Sequence, residues 1–186
     1  WLLNADCSAA ICVSTLQGHL SSVWTVAFHP SAPYLATSST DSTAKLWRLK
    51  DDCSAACCVS TLQGHSKTVS SVAFHRSGLF FATGSYDRTA KLWLLNADCS
   101  STTCVSTLQG HSKTVSSVAF HRSGLFFATG SYDRTAKLWL LNADCSSTTC
   151  VSTLQGHRDE VLSVAWHPSK PYLATGSTDR TVKLWE

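Results

Sequence analysis

No methionine occurs among the 186 residues, and charged side chains supply only 15% of them. A chain that opens on Trp1 and lacks methionine is expected to be a piece of a longer protein. The low charge stands beside 44% hydrophobic residues, which excludes a disordered chain, because disorder needs too little apolar surface to build a core. Long apolar runs are missing too. None approaches the ~20 residues of a membrane helix, and no basic-then-apolar leader stands at the start, so no signal peptide is visible. There is no dense basic stretch and the net charge is only +3, which argues against nucleic acid and names no other partner. No useful length follows the helical period, so helices are not expected.

What is there is a period. Gly-His recurs at 18–19, 64–65, 110–111 and 156–157, and Lys-Leu-Trp at 45–47, 91–93, 137–139 and 183–185, both 46 residues apart. Residues Cys58 to His111 reappear unchanged as Cys104 to His157. Within a unit, "VSSVAF" (69–74), "LFFATGS" (79–85), "RTAKLWLL" (88–95) and "CVSTLQ" (104–109) are short runs rich in β-branched and aromatic residues, separated by turn chemistry. Each unit therefore reads as a four-stranded antiparallel meander with strands a, b, c and d. A lone meander has two faces to cover and an edge to protect. Packing copies around an axis answers both needs. The fold class is all-β, with four β-propeller blades in this chain.

These residues resemble the WD40-repeat (Trp-Asp repeat) β-propeller family. Gly-His opens each unit, "ATGSxD" follows strand b, and Lys-Leu-Trp lies in strand c. One departure is plain: the Asp that often follows the Trp is replaced by Arg48, Leu94, Leu140 and Glu186. The resemblance implies a buried hydrogen-bonded tetrad per blade. The sets are His19, Thr37, Asp41 and Trp47; His65, Thr83, Asp87 and Trp93; His111, Thr129, Asp133 and Trp139; and His157, Thr175, Asp179 and Trp185. Ser85 and its counterparts suit the hydroxyl role less well. A hydroxyl, a His and an Asp are also the parts of a hydrolase. Here, however, the set occurs in every unit, ends on a Trp that can only donate, and has no nucleophile elbow beside it. A structural latch is expected, and no enzyme.

Other residues follow the period as well. The pairs Cys7/Cys12, Cys53/Cys58, Cys99/Cys104 and Cys145/Cys150 each enclose four residues in the c–d turn, and Cys57 is extra. Either disulfides or reduced rim thiols fit this spacing, and the reduced form is expected. No metal site is expected, because two ligands per blade would not converge. His29, His75, His121 and His167 read as solvated a–b turns. Phe80, Phe126, Phe28, Phe74, Phe120 and Trp166 read as contacts between blades.

The unit boundaries are 1–17 (the end of a strand c and a strand d, ring-closing), 18–63, 64–109, 110–155, and 156–186 without its strand d. This family usually closes with about seven or eight blades, so the four belong to a larger ring or pair with a second copy. The expected function is a non-catalytic scaffold that binds a protein or peptide on the face of the d–a and b–c turns. The alternative is an assembly element with no dedicated partner site. By the resemblance, contact positions lie three and five residues after the His and just before the tetrad Asp. They are Ser22, Trp24 and Thr40; Thr68, Ser70 and Tyr86; Thr114, Ser116 and Tyr132; and Glu160, Leu162 and Thr178. Lys67 with Arg88, Lys113 with Arg134, and Arg158 with Arg180 make the rim basic, while Leu20, Ser21 and Ser42 leave a gap in the first unit. An acidic peptide with one hydrophobic anchor, or a phosphate-bearing variant, would suit such a rim. No cofactor and no membrane partner is expected, and the location is expected to be cytoplasmic.

Overall fold

The computed structural model describes residues 2–3, 10–96, 101–142 and 147–186, with the backbone alone at 2–3 and 10–11. A short antiparallel pair comes first, β1 (Leu2–Leu3) with β2 (Ala10–Ile11). Four meanders follow. The first sheet holds β3 (Val23–Phe28), β4 (Tyr34–Ser39), β5 (Ala44–Leu49) and β6 (Ala56–Leu62). The second holds β7 (Val69–Phe74), β8 (Phe80–Ser85), β9 (Ala90–Leu95) and β10 (Thr102–Leu108). The third holds β11 (Val115–Phe120), β12 (Phe126–Ser131), β13 (Thr135–Leu141) and β14 (Thr148–Gln155). The fourth has three strands, β15 (Val161–Trp166), β16 (Leu173–Ser177) and β17 (Val182–Trp185). Every pairing is between chain neighbours and antiparallel. These are propeller blades, and no helix occurs among the described residues.

The core does not lie inside any blade. It lies between blades, in three separate clusters. Leu46 and Leu62 of the first sheet meet Val69, Val72 and Phe81 of the second. Leu92 and Leu108 of the second meet Val115, Val118 and Phe127 of the third. Ala128 and Ala136 of the third meet Val161, Val164 and Leu173 of the fourth. Strand β8 is consequently buried at every position after Phe80. A central strand covered on both faces loses the alternation of a half-exposed one. Outer strand β10 keeps exposed positions at Thr103, Cys104 and Thr107. Blades approach so closely that a Cβ on Gly84 would stand 2.9 Å from Val115 Cγ1. Small residues are therefore required there.

Three expectations need correction. The a–b histidines are not all solvated turns. His75 is buried, its Nε2 donates to the Gly124 carbonyl at 3.0 Å, and its ring meets Phe120 edge-on at 5.3 Å. His29 likewise packs on Phe74 at 5.3 Å, and His121 on Trp166 at 4.8 Å. Burial lowers the pKa of all three; a bond to the next blade's Gly78 or Gly124 opposes it for His29 and His75. Of the four, only His167, at the end of the row, is exposed. Phe28 is the second correction. Phe74, Phe120 and Trp166 pack into the blade junctions, but Phe28 is 69% exposed because no described blade precedes it.

The strand expected over Cys12–Gln17 is not formed, although β1 and β2 pair beside it. Their register, Leu3↔Ala10 and Leu2↔Ile11, is that of Leu95↔Thr102 and Leu94↔Thr103 two periods later. Among the described residues no strand pairs with residues 12–17, and an isolated extended segment has nothing to hold it.

Candidate functional site

The rim of d–a and b–c turns is built on one carboxylate per blade. In the second blade the Ser85 hydroxyl accepts from the Asp87 N–H at 3.1 Å and donates to the Lys67 carbonyl at 3.1 Å, tying the b–c turn to the d–a turn. Asp87 Oδ1 accepts from the Thr89 N–H at 3.0 Å and its hydroxyl at 2.7 Å. Its Oδ2 accepts from the Ser66 N–H at 3.1 Å and stands 2.7 Å from His65 Nδ1. His65 Nε2 lies 2.8 Å from Thr83 Oγ1, which accepts from Trp93 Nε1 at 2.9 Å. Indole can only donate and carboxylate only accept. The single hydroxyl proton of Thr83 therefore goes to His65 Nε2, and Nδ1–H donates to Asp87.

The same four side chains meet in every blade. His19, Thr37, Asp41 and Trp47 do so in the first. His111, Thr129, Asp133 and Trp139 do so in the third, and His157, Thr175, Asp179 and Trp185 in the fourth. Ser85 stays outside the relay. The fifth member, Thr89 with its counterparts Thr43, Thr135 and Thr181, escaped the sequence reading. Its signal was the recurring D-x-T. Burial works against ionisation of Asp41, Asp87 and Asp133, but the converging donors outweigh it and hold these carboxyls well below the usual range. For Asp179 the Thr181 hydroxyl is the largest influence, and the direction is the same.

Above the tetrads, strand a of each blade carries a bulge. The register steps from Val23↔Ser39 to Thr25↔Ser38, from Val69↔Ser85 to Ser71↔Gly84, and likewise in the other two. The extra residues are Trp24, Ser70, Ser116 and Leu162, the positions five after each His. A bulge re-aims a side chain, and Trp24, Ser70 and Ser116 are aimed towards the following blade. Ser70 and Ser116 are thereby withdrawn from the contact set. Ser70 donates to the carbonyls of Gly84 and Val115, and Ser116 to those of Gly130 and Val161. Their hydroxyls are used between blades.

Trp24 is too large for that role. It stays 51% exposed, donates to Thr40 Oγ1 at 2.8 Å, and lays its ring 5.9 Å from Tyr86. Tyr86 lies 6.0 Å from Tyr132. The Tyr86 hydrogen bond, aided by burial, pushes the Tyr132 phenol up to about 12. Three blades thus present one aromatic row. Backbone bonds join the remaining contact positions in pairs, Thr40 to Ser22, Tyr86 to Thr68, Tyr132 to Thr114 and Thr178 to Glu160. Leu162 is exposed in the fourth blade. Lys67, Arg88, Lys113, Arg134, Arg158 and Arg180 are exposed and enter no salt bridge among the described residues. Arg88, Arg134 and Arg180 hold left-handed backbones at φ 74°, 73° and 69°, a conformation that disfavours a long side chain.

The cysteines add little. Cys53 and Cys58 carry free thiols. The other three pairs each include Cys7, Cys99 or Cys145, which lie outside the described residues. Among the described residues no three His, Cys, Asp or Glu side chains gather as a metal would require.

A family model described as "WD domain, G-beta repeat" matches the chain four times, at residues 10–48, 56–93, 102–139 and 148–186. No curated protein matches it.

Proposed function

The chain belongs to the WD40 repeat family, whose repeats generally mediate protein–protein contacts without catalysis, and from that premise we propose that its d–a and b–c rim docks an acidic peptide segment carrying one apolar anchor. The observation that carries this reading is the row Trp24, Tyr86 and Tyr132 on a rim whose exposed cations enter no salt bridge among the described residues. Tryptophan and tyrosine are enriched among the side chains that dominate binding energy. The cations would orient and attract an acidic partner. Thr40, Thr68, Thr114, Glu160, Leu162 and Thr178 complete the contact surface. Ser70 and Ser116 do not belong to it.

The tetrads serve this platform as latches. Each ties the turn before strand a to the turn after strand b, so the two loops that would meet a partner move as one. Their repetition in four blades, each ending on a donor-only indole, supports a structural role over a nucleophilic one.

The test is a peptide array of acidic sequences with and without one aromatic or aliphatic residue. The chain is compared with Lys67→Glu/Arg88→Glu/Lys113→Glu/Arg134→Glu and, separately, with Trp24→Ala. Charge reversal is expected to weaken binding by about tenfold or more, the effect of losing ~1.4 kcal/mol, and to flatten its salt dependence. Trp24→Ala is expected to abolish the preference for the apolar residue. Unchanged partners and salt dependence would remove the electrostatic part, and an unchanged preference would remove the anchor.

A further inference from the structure

The chemistry of the rim changes from blade to blade. In the first blade the d–a turn presents Leu20, 93% exposed, with Trp24 beyond it, and neither turn of this blade's rim holds a Lys or Arg. The second and third blades present Lys67 with Arg88 and Lys113 with Arg134, all exposed. In the fourth the d–a turn reads Arg158, Asp159 and Glu160, so Asp159 stands where Lys67 and Lys113 stand in their units. Arg158 and Arg180 are balanced there by Asp159 and Glu160. Among the described residues neither carboxylate forms a salt bridge. The tetrad aspartates are held in the latches of all four blades and do not level these differences. Ser66 and Ser112, the counterparts of Leu20, are exposed although a blade lies on either side of them. Exposure at this position therefore belongs to the turn. Glu160 also extends the aromatic row. The Tyr86 hydrogen bond and burial raise the Tyr132 phenol most, and the charge of Glu160 adds to them.

We infer that the rim reads an extended peptide in a fixed order: an apolar side chain over the first blade, acidic side chains over the second and third, and a basic side chain over the fourth. The spacing follows from the rings. They step 5.9 Å from Trp24 to Tyr86 and 6.0 Å from Tyr86 to Tyr132, one blade at a time. An extended chain advances ~3.3 Å per residue and turns alternate side chains to one face, so about every second residue meets the next blade. Counted from the apolar anchor, the acidic residues fall at the second and fourth positions and the basic residue at the sixth. Side chains alone set this order, so a peptide running in either chain direction can satisfy it. The basic residue is what the fourth blade adds to an acidic anchored peptide. A carboxylate in its place would face Asp159 and Glu160, and like charges across an interface reject wrong partners. This inference rests on the rim as the docking face and adds the order and the spacing.

Fluorescence anisotropy of labelled synthetic peptides with the full chain tests it. The reference peptide has leucine, aspartates two and four residues on, and lysine six residues on, with serine and glycine between, and is made in both chain directions. Three relatives are compared with it. One replaces the lysine by glutamate, one moves the lysine between the leucine and the aspartates, and one makes the four residues contiguous. In the direction that binds better, each relative is expected to bind about tenfold more weakly. Asp159→Lys/Glu160→Lys, with the circular dichroism of the parent, is expected to reverse the first comparison and prefer glutamate to lysine. The peptide comparisons on the parent chain need no variant and decide by themselves. Equal binding of all the peptides overturns the order and leaves the acidic docking face standing. A change from lysine to glutamate that is neutral or favourable overturns the part given to the fourth blade. Failure of every peptide to bind removes the docking face and the order together.

Discussion

The junction between the second and third blades and the two ends of the row contain the same residues in opposite circumstances. Leu92 is fully buried and Leu184 is 75% exposed. His75 reaches the next blade's backbone, and His167 reaches solvent. Gly84 is hemmed in, and Gly176 is open. Sequence is constant across these pairs, so burial here belongs to the neighbour and not to the residue. This is the behaviour of a repeat array, in which each unit is stabilised by its contacts with adjacent units.

The largest break in the comparison should come from Phe81→Ala. Phe81 is fully buried between the first two blades, and truncation there should cost ~3–5 kcal/mol. Phe28→Ala, at a position 69% exposed, should change stability by less than ~0.5 kcal/mol. Urea midpoints of the two variants check this, and equal shifts would refute it.

Tetrad loss comes next. Asp87→Ala leaves the His65 and Ser66 donors and the Thr89 hydroxyl without their acceptor and should cost ~1–3 kcal/mol. The pH dependence follows from the direction of the shift. The folded aspartates ionise below the usual carboxylate value. Their contribution is therefore complete above the unfolded value of ~4 and is lost as pH falls below it toward the folded value. Urea midpoints of the parent should drop between about pH 5 and pH 2, and Asp87→Ala should drop less steeply. An equally steep acid limb would remove Asp87 from that account.

The glycines come last, with the smallest effect at Gly176. Gly84→Ala places a Cβ against Val115 and should cost ~1–3 kcal/mol by overpacking. Gly176→Ala meets nothing and should be neutral or slightly stabilising, by up to ~1 kcal/mol, through the unfolded chain. Thermal melts separate the two, and a destabilising Gly176→Ala in the single chain would contradict the open face.

Much of this was legible because the information is periodic and local. The 46-residue spacing, the four strands around "VSSVAF", "LFFATGS", "RTAKLWLL" and "CVSTLQ", and the side chains of each tetrad stand in the letters themselves. The bulge at Trp24, Ser70, Ser116 and Leu162 was not legible, because an alternating run does not reveal one extra residue. The part played by His75 depends on Phe120 and Gly124, which belong to another blade. The aromatic row was hidden for a related reason. Trp24 follows its His by five residues whereas Tyr86 precedes its Asp, so aligning the units sets them in different columns. Only packing one blade on the next brings the rings to 5.9 Å. The expected strand at Cys12–Gln17 had the right letters, and what it lacked was a partner.

The central claim is that position in the row, and not residue type, decides what each repeat contributes. Leu92→Ala and Leu184→Ala make the same chemical change at equivalent positions of the second and fourth blades. Their urea midpoints in dilute solution test the claim most directly. Leu92→Ala should cost ~2–5 kcal/mol. Leu184→Ala should cost almost nothing. Equal costs for the two variants in dilute solution would contradict the account.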